Sequence, residues 1–176
     1  MKKFLLAAAS LICVIMLASC GGAMFAEPSP TPVPEIDPSE ILTLDDVAAY
    51  VDYELVSDGV MRDGNTASVL YRTEPIGMAD TVEIKITQYN ESVSADDVWN
   101  EYAVGKAART TAEDIAELGE SAYIAFPSIN IYDRGCYIKI TAGSGSDEGQ
   151  RNMLLNLAYA AVPKFEAVWQ PLNVTE

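Results

Sequence analysis

The sequence predicts an α+β domain: an antiparallel sheet of about six strands with helices packed on its apolar face. Three observations lead there. Residues 80–89 alternate strictly, with Val82, Ile84 and Ile86 on one side and Glu83, Lys85 and Thr87 on the other. That is the period of a half-buried strand. Three further strand-like runs crowd into residues 121–142, separated only by Pro127 and by Arg134-Gly135. Connections that short force antiparallel hairpins. Helix starts stand at Thr43 and Ser94, each a good N-cap with two aspartates in the following turn. Carboxylates there meet the positive end of the helix dipole.

In chain order, the first helix begins after Thr43, with Val47, Ala48, Tyr50 and Val51 as its apolar stripe. Asp58-Gly59 and Asp63-Gly64-Asn65 read as turns, and strands are expected over residues 66–73 and 80–89. The second helix follows Ser94 and buries Val98, Trp99, Tyr102 and Ala103. A shorter helix is expected between Thr110 or Thr111 and Gly119. Strands follow over residues 121–126, 128–133 and 136–142. The last helix is capped by Ser146 and runs toward Trp169. Leu154, Leu157, Ala158, Ala161, Phe165 and Val168 lie at helical spacing, and Pro163 should kink or divide it.

An internal echo supports the pattern. Thr43–Val47 (TLDDV) recurs as Ser94–Val98 (SADDV), and EIKIT at Glu83–Thr87 recurs as YIKIT at Tyr137–Thr141. The two halves then each read as a helix followed by about three strands. An internal duplication of this kind gives one sheet with pseudo-twofold symmetry.

The chain opens with Met1-Lys2-Lys3 and an apolar run from Phe4 to Ala18, interrupted only by Ser10. A membrane span needs about 20 residues, so this run fits the core of a secretory signal instead. Leu17-Ala18-Ser19-Cys20, followed by Gly21, resembles the lipobox of bacterial lipoproteins. That resemblance covers residues 1–22. It implies cleavage before Cys20, a diacylglycerol on its thiol, and a cell-membrane location with the domain on the extracytoplasmic side. Two acyl chains make a stable anchor where one is marginal. Residues 117–143 also resemble, loosely, small surface lipoproteins of unknown function from Gram-positive bacteria; no catalytic residue comes with that likeness.

Residues 1–19 are thus expected to be a signal peptide, 20–41 a lipidated cysteine with a proline-rich tether, and 42–176 the globular domain. The tether carries five prolines between Pro28 and Pro38. Extended polyproline at about 3.1 Å per residue lets some 20 residues reach roughly 60–70 Å. With Cys13 removed and Cys20 acylated, Cys136 has no partner for a disulfide.

The whole chain carries a formal charge of −15. Without Lys2 and Lys3 it carries −17, with 26 acidic residues against 9 basic ones. Such a surface disfavours nucleic acid and anionic lipid, and favours cationic, neutral or metal-bearing partners.

Chemistry is sparse. The chain has no histidine, which excludes Ser-His-Asp and Cys-His catalysis and His-based zinc sites. Cys136 shares the apolar side of its strand with Ile138 and Ile140 and reads as structural. The glycine-rich stretch at residues 142–150 lacks a lysine and the spacing of phosphate loops. The acidic pairs Asp45/Asp46, Asp96/Asp97 and Asp147/Glu148 sit at helix starts, and none has the spacing of a calcium loop. No cofactor or metal is expected. The candidate binding face is the non-apolar side of the sheet: Tyr89, Tyr123, Tyr132 and Tyr137 with Lys85, Lys139 and Arg72. The expected function is a non-enzymatic binding module for a small ligand or an envelope protein. The alternative is an envelope hydrolase working with carboxylates.

Overall fold

The computed structural model describes residues 35–51, 54–73 and 81–169. The expected signal peptide, Cys20 and the tether as far as residue 34 lie outside the described residues.

Seven antiparallel strands form one sheet in the order β1-β2-β3-β7-β6-β5-β4. They are β1 (Val56–Asp63), β2 (Thr66–Arg72), β3 (Thr81–Gln88), β4 (Glu113–Ile115), β5 (Ser121–Ala125), β6 (Ser128–Asp133) and β7 (Cys136–Ala142). Four helices join them: α1 (Pro38–Ile41), α2 (Leu44–Ala48), α3 (Ala95–Ala107) and α4 (Glu148–Trp169). The α+β class and the antiparallel sheet are as the sequence predicts, with a strand more than expected.

The echo in the sequence has a structural counterpart. In the central β3–β7 pair, Lys85 lies opposite Lys139, Ile84 opposite Ile140 and Ile86 opposite Ile138. The repeated segments therefore meet about a twofold axis through the Lys85/Lys139 pair. The meander β1-β2-β3 on one side is matched by β5-β6-β7 on the other. A twofold axis normal to a sheet maps each face onto itself. The helices break that symmetry: Val47 of α2 joins the core under α4, whereas Val98 and Tyr102 of α3 pack on the opposite face. The expectation of helices on one face only is thus corrected. Alternation leaves apolar or aromatic side chains on both faces of β5–β7, so each needs a cover.

The main core lies between one sheet face and α4. Val69, Tyr71, Ile84, Ile86, Ile131, Ile138 and Ile140 meet Leu154, Leu157, Ala161 and Phe165. Pro163 does not divide α4, which is one helix through Trp169. An interior proline costs about 3 kcal/mol. Burying Leu154, Leu157 and Phe165 contributes about 1.5–3 kcal/mol each, which outweighs it. Val168, expected on the apolar stripe, is exposed, and Trp169 is buried in its place. Asp147 rather than Ser146 caps this helix, its Oδ1 accepting from the Gln150 amide at 2.8 Å.

The domain starts before residue 42. Ile36, Ile41 and Leu42 are fully buried, and Gln88 Oε1 accepts the Ile36 amide at 3.0 Å. Tyr71 donates its hydroxyl to the Leu42 carbonyl at 2.6 Å. Residues 35–41, expected as tether, pack against the sheet because Ile36 and Ile41 bring apolar area that no solvated tether would carry. Both expected N-caps form full capping boxes, Thr43 with Asp46 and Ser94 with Asp97. Lys164 of α4 reaches Asp46 at 2.5 Å and ties α2 to α4.

Two segments depart from the expected elements. Asp58-Gly59 is a bulge within β1, not a turn: pairing skips from Ser57/Tyr71 to Val60/Val69. Gly59 at φ +81° suits a bulge as well as a turn. Residues 113–115 form an edge strand on β5 where a short helix was expected. About seven residues cannot sustain a helix without tertiary contacts, whereas pairing satisfies them directly.

Candidate functional site

The sheet face opposite α4 is the non-apolar face of the prediction. Cross-strand register brings Arg72, Lys85, Lys139, Tyr137, Tyr132 and Tyr123 to that side. The register thus places six of the seven candidate residues on one side, but the face is not open. Helix α3 lies over its β5–β7 half, seating Val98 and Tyr102 on Tyr123, Ala125, Tyr132 and Tyr137. Tyr102 sits 5.2 Å from Tyr123, 5.9 Å from Tyr132 and 5.7 Å from Tyr137 between ring centroids. Three of the four candidate tyrosines are thus buried beneath a helix rather than displayed. Tyr89, the fourth, is half-buried edge-on to Trp169 at 5.8 Å. Alanine at Tyr132 or Tyr137 would damage this packing rather than trim a surface.

Sequence and local geometry explain how α3 comes so close. Gly105 leaves only 3.2 Å between its virtual Cβ and the Tyr123 hydroxyl. Any larger residue there would press on that ring. Tyr102 shares a hydrogen bond with Ser121 at 2.8 Å. Burial pushes the hydroxyls of Tyr102, Tyr123, Tyr132 and Tyr137 above their ordinary value, so all stay protonated at neutral pH. Tyr137 donates to Asn130 Oδ1 at 2.7 Å.

Beyond the last turn of α3 the cover ends and a cleft of about 270 Å³ opens. Its walls carry Arg109, Tyr123, Ser128, Asn130, Tyr137, Lys139 and Thr141. No carboxylate lines it. Ser128 and Thr141 are hydrogen-bonded to each other at 2.9 Å. Lys139 stands between Asn130 on β6 and Lys85 on β3. Cross-strand neighbours have Cβ atoms about 4.5–5.5 Å apart, so Lys85 starts beside Lys139 on this face, although it lines a neighbouring cleft with Met61 and Glu83. Arg109 and Asn130 were not singled out from the sequence. Arg109 follows a helix end and carries no periodic signal, and Asn130 reads as an ordinary strand residue.

Arg72 stands apart from this patch in function, held by Asp58 with Nε 2.7 Å from Oδ1 and 2.9 Å from Oδ2. The β1 bulge places Asp58 for that contact. Further clefts lie elsewhere among the described residues. One is near Asn65 and Gln88, one lies under the half-exposed Trp99, and one is lined by Met61, Glu83 and Lys85.

The remaining chemical feature is Asp133 at the β6–β7 hairpin. It is buried, and its Oδ2 accepts no hydrogen bond. Burial holds its carboxyl above the ordinary range, with Arg134 opposing and Glu120 and Glu166 adding to the shift. Cys136, its hairpin partner, is fully buried and its thiol is pushed up to about 12. Among the described residues, no group of three or more histidine, cysteine or acidic side chains is arranged to hold a metal ion.

No protein-family model, curated protein or solved structure matches this chain.

Proposed function

We propose that this chain is a membrane-anchored surface lipoprotein whose α+β domain is a non-enzymatic binding module of the cell envelope. The observation that carries the location is Leu17-Ala18-Ser19-Cys20 with Gly21, closing an apolar run of signal length. What supports binding is the cleft beyond α3, where hydroxyl, amide and cationic donors converge without a carboxylate. Among the described residues, no helix is long and apolar enough to cross a membrane. On this reading the anchor is the lipid, and the proline-rich segment sets the domain's distance from the bilayer. The test is Cys20→Ser: the variant leaves the membrane fraction or remains unprocessed. Unchanged anchoring and processing would contradict the proposal.

The second reading, a carboxylate-dependent hydrolase, has one observation in its favour. Asp133 is a buried carboxyl with a raised pKa, as a general acid needs. It lines none of the clefts described above, and substrate access to it would require the hairpin to open. Hydrolysis of an envelope polymer that is abolished by Asp133→Asn would favour this reading over binding.

A further inference from the structure

The chain has eleven lysines and arginines against 26 acids. Nine of the eleven are described. Arg62, Arg72, Lys106, Arg134, Arg151 and Lys164 each make an ion pair with a carboxylate. Among the described residues, Lys85, Arg109 and Lys139 make none. In so acidic a chain, unpaired cations are the exception, and these three lie together. Arg109 and Lys139 line one cleft, and Lys85 is the cross-strand neighbour of Lys139. Like charges directly opposed on adjacent strands destabilise a sheet. Glu83, opposite Thr141, is close by in the register yet pairs with neither lysine. Glu101 reaches Tyr137 only through its field, and it does not line the cleft.

From this placement we infer that the cleft is a subsite for a small oxyanion-bearing molecule, whose carboxylate or phosphoryl group is held by Arg109 and Lys139. This deepens the binding-module reading and rests on it. Arg109 supplies a planar fork of donors and Lys139 a compact charge, a pairing suited to an oxyanion. Asn130 spends its Oδ1 on Tyr137, so its amide protons remain for the ligand. The cleft volume of about 270 Å³ admits a small molecule rather than a polymer. Lys85, the cross-strand neighbour of Lys139, adds positive potential from beside the cleft. The surrounding acidic surface does not forbid this, because charges act over about 8 Å at physiological salt. A small anion inside the cleft meets Arg109 and Lys139 first. An extended polyanion would also meet the rest of the surface.

The test is calorimetric titration of the full chain with two probes, inorganic phosphate and succinate, at low and at physiological salt. Saturable binding of either probe, weakened by salt, is expected. A response to phosphate alone identifies a phosphoryl ligand; a response to succinate alone identifies a carboxylate. Arg109→Gln and Lys139→Gln should each weaken binding about tenfold or more, the worth of one charge-assisted hydrogen bond. Lys106→Gln, which removes a cation already paired with Asp114, should leave it within about twofold. Lys139→Arg keeps the charge and should keep most of the affinity, which separates charge loss from misfolding. No saturable binding of either probe, or equal binding by the Arg109→Gln/Lys139→Gln double variant, overturns the inference. Native mass spectrometry of the membrane-extracted protein separates the two levels of the argument. A retained neutral molecule, with no response to the probes, overturns the oxyanion assignment and leaves the binding reading standing. A silent titration with nothing retained defeats both.

Discussion

Replacing Tyr102 with alanine should undo the cover on the second sheet face. Its side chain is 1% exposed, in ring contact with Tyr123, Tyr132 and Tyr137, and hydrogen-bonded to Ser121. Truncating a buried aromatic ring costs about 3–5 kcal/mol. Losing the aromatic pairs is part of that sum rather than an addition to it. Tyr102→Phe keeps the rings and loses one hydrogen bond, about 1 kcal/mol. The assay is urea denaturation of the full chain followed by circular dichroism. With a slope of about 1–3 kcal/mol/M, the alanine variant should lose roughly 2 M in midpoint and the phenylalanine variant well under 1 M. Nitration of the folded protein adds a local readout: in Tyr102→Ala, Tyr123, Tyr132 and Tyr137 become reactive. An alanine variant with an unshifted midpoint and protected tyrosines would refute the packing of α3 on this face.

Three further outcomes follow from the same geometry. Asp133 has its folded pKa raised above the ordinary 3.8, so its contribution to stability is complete below that value and is lost as pH rises through the folded pKa. Denaturation of Asp133→Asn against the unmodified chain should move in the variant's favour between acid pH and neutrality; a pH-independent difference would contradict the burial of that carboxyl. Cys136, fully buried with its thiol pushed up to about 12, should resist a maleimide in the folded chain and react once urea unfolds it. Labelling at equal rates in both states would place it at the surface. Gly135 sits at φ +77° with its virtual Cβ 2.8 Å from the Tyr89 ring. Gly135→Ala should therefore cost at least about 1–2 kcal/mol by thermal or chemical denaturation, and no loss would refute that turn geometry.

Local patterns specify much of this fold. Alternation identified β3, and Arg134-Gly135, both at positive φ, gave the β6–β7 hairpin. The capping boxes at Thr43 and Ser94 were written in four residues each. What escaped depends on tertiary partners. The bulge in β1 uses the same Asp-Gly pair as a turn, and β4 is three residues that become a strand only beside β5. Ile36 and Ile41 read as part of a proline-rich tether in the sequence, because their burial depends on a sheet surface that only the fold supplies. At the candidate site, alternation put Lys85, Lys139, Tyr123, Tyr132 and Tyr137 on one face, as the register has them. It could not say that α3 would choose that face, because the apolar stripe of α3 fits either side. Arg109 reaches the cleft only because α3 ends beside it.

Acylation at Cys20 is the claim on which place, topology and range of partners all depend. Mass spectrometry of the N-terminal peptide of the protein recovered from membranes tests it directly. The account predicts a chain beginning at Cys20 with a diacylglycerol on its sulfur. A chain that retains residues upstream of Cys20, or one carrying a free Cys20 thiol, would contradict it.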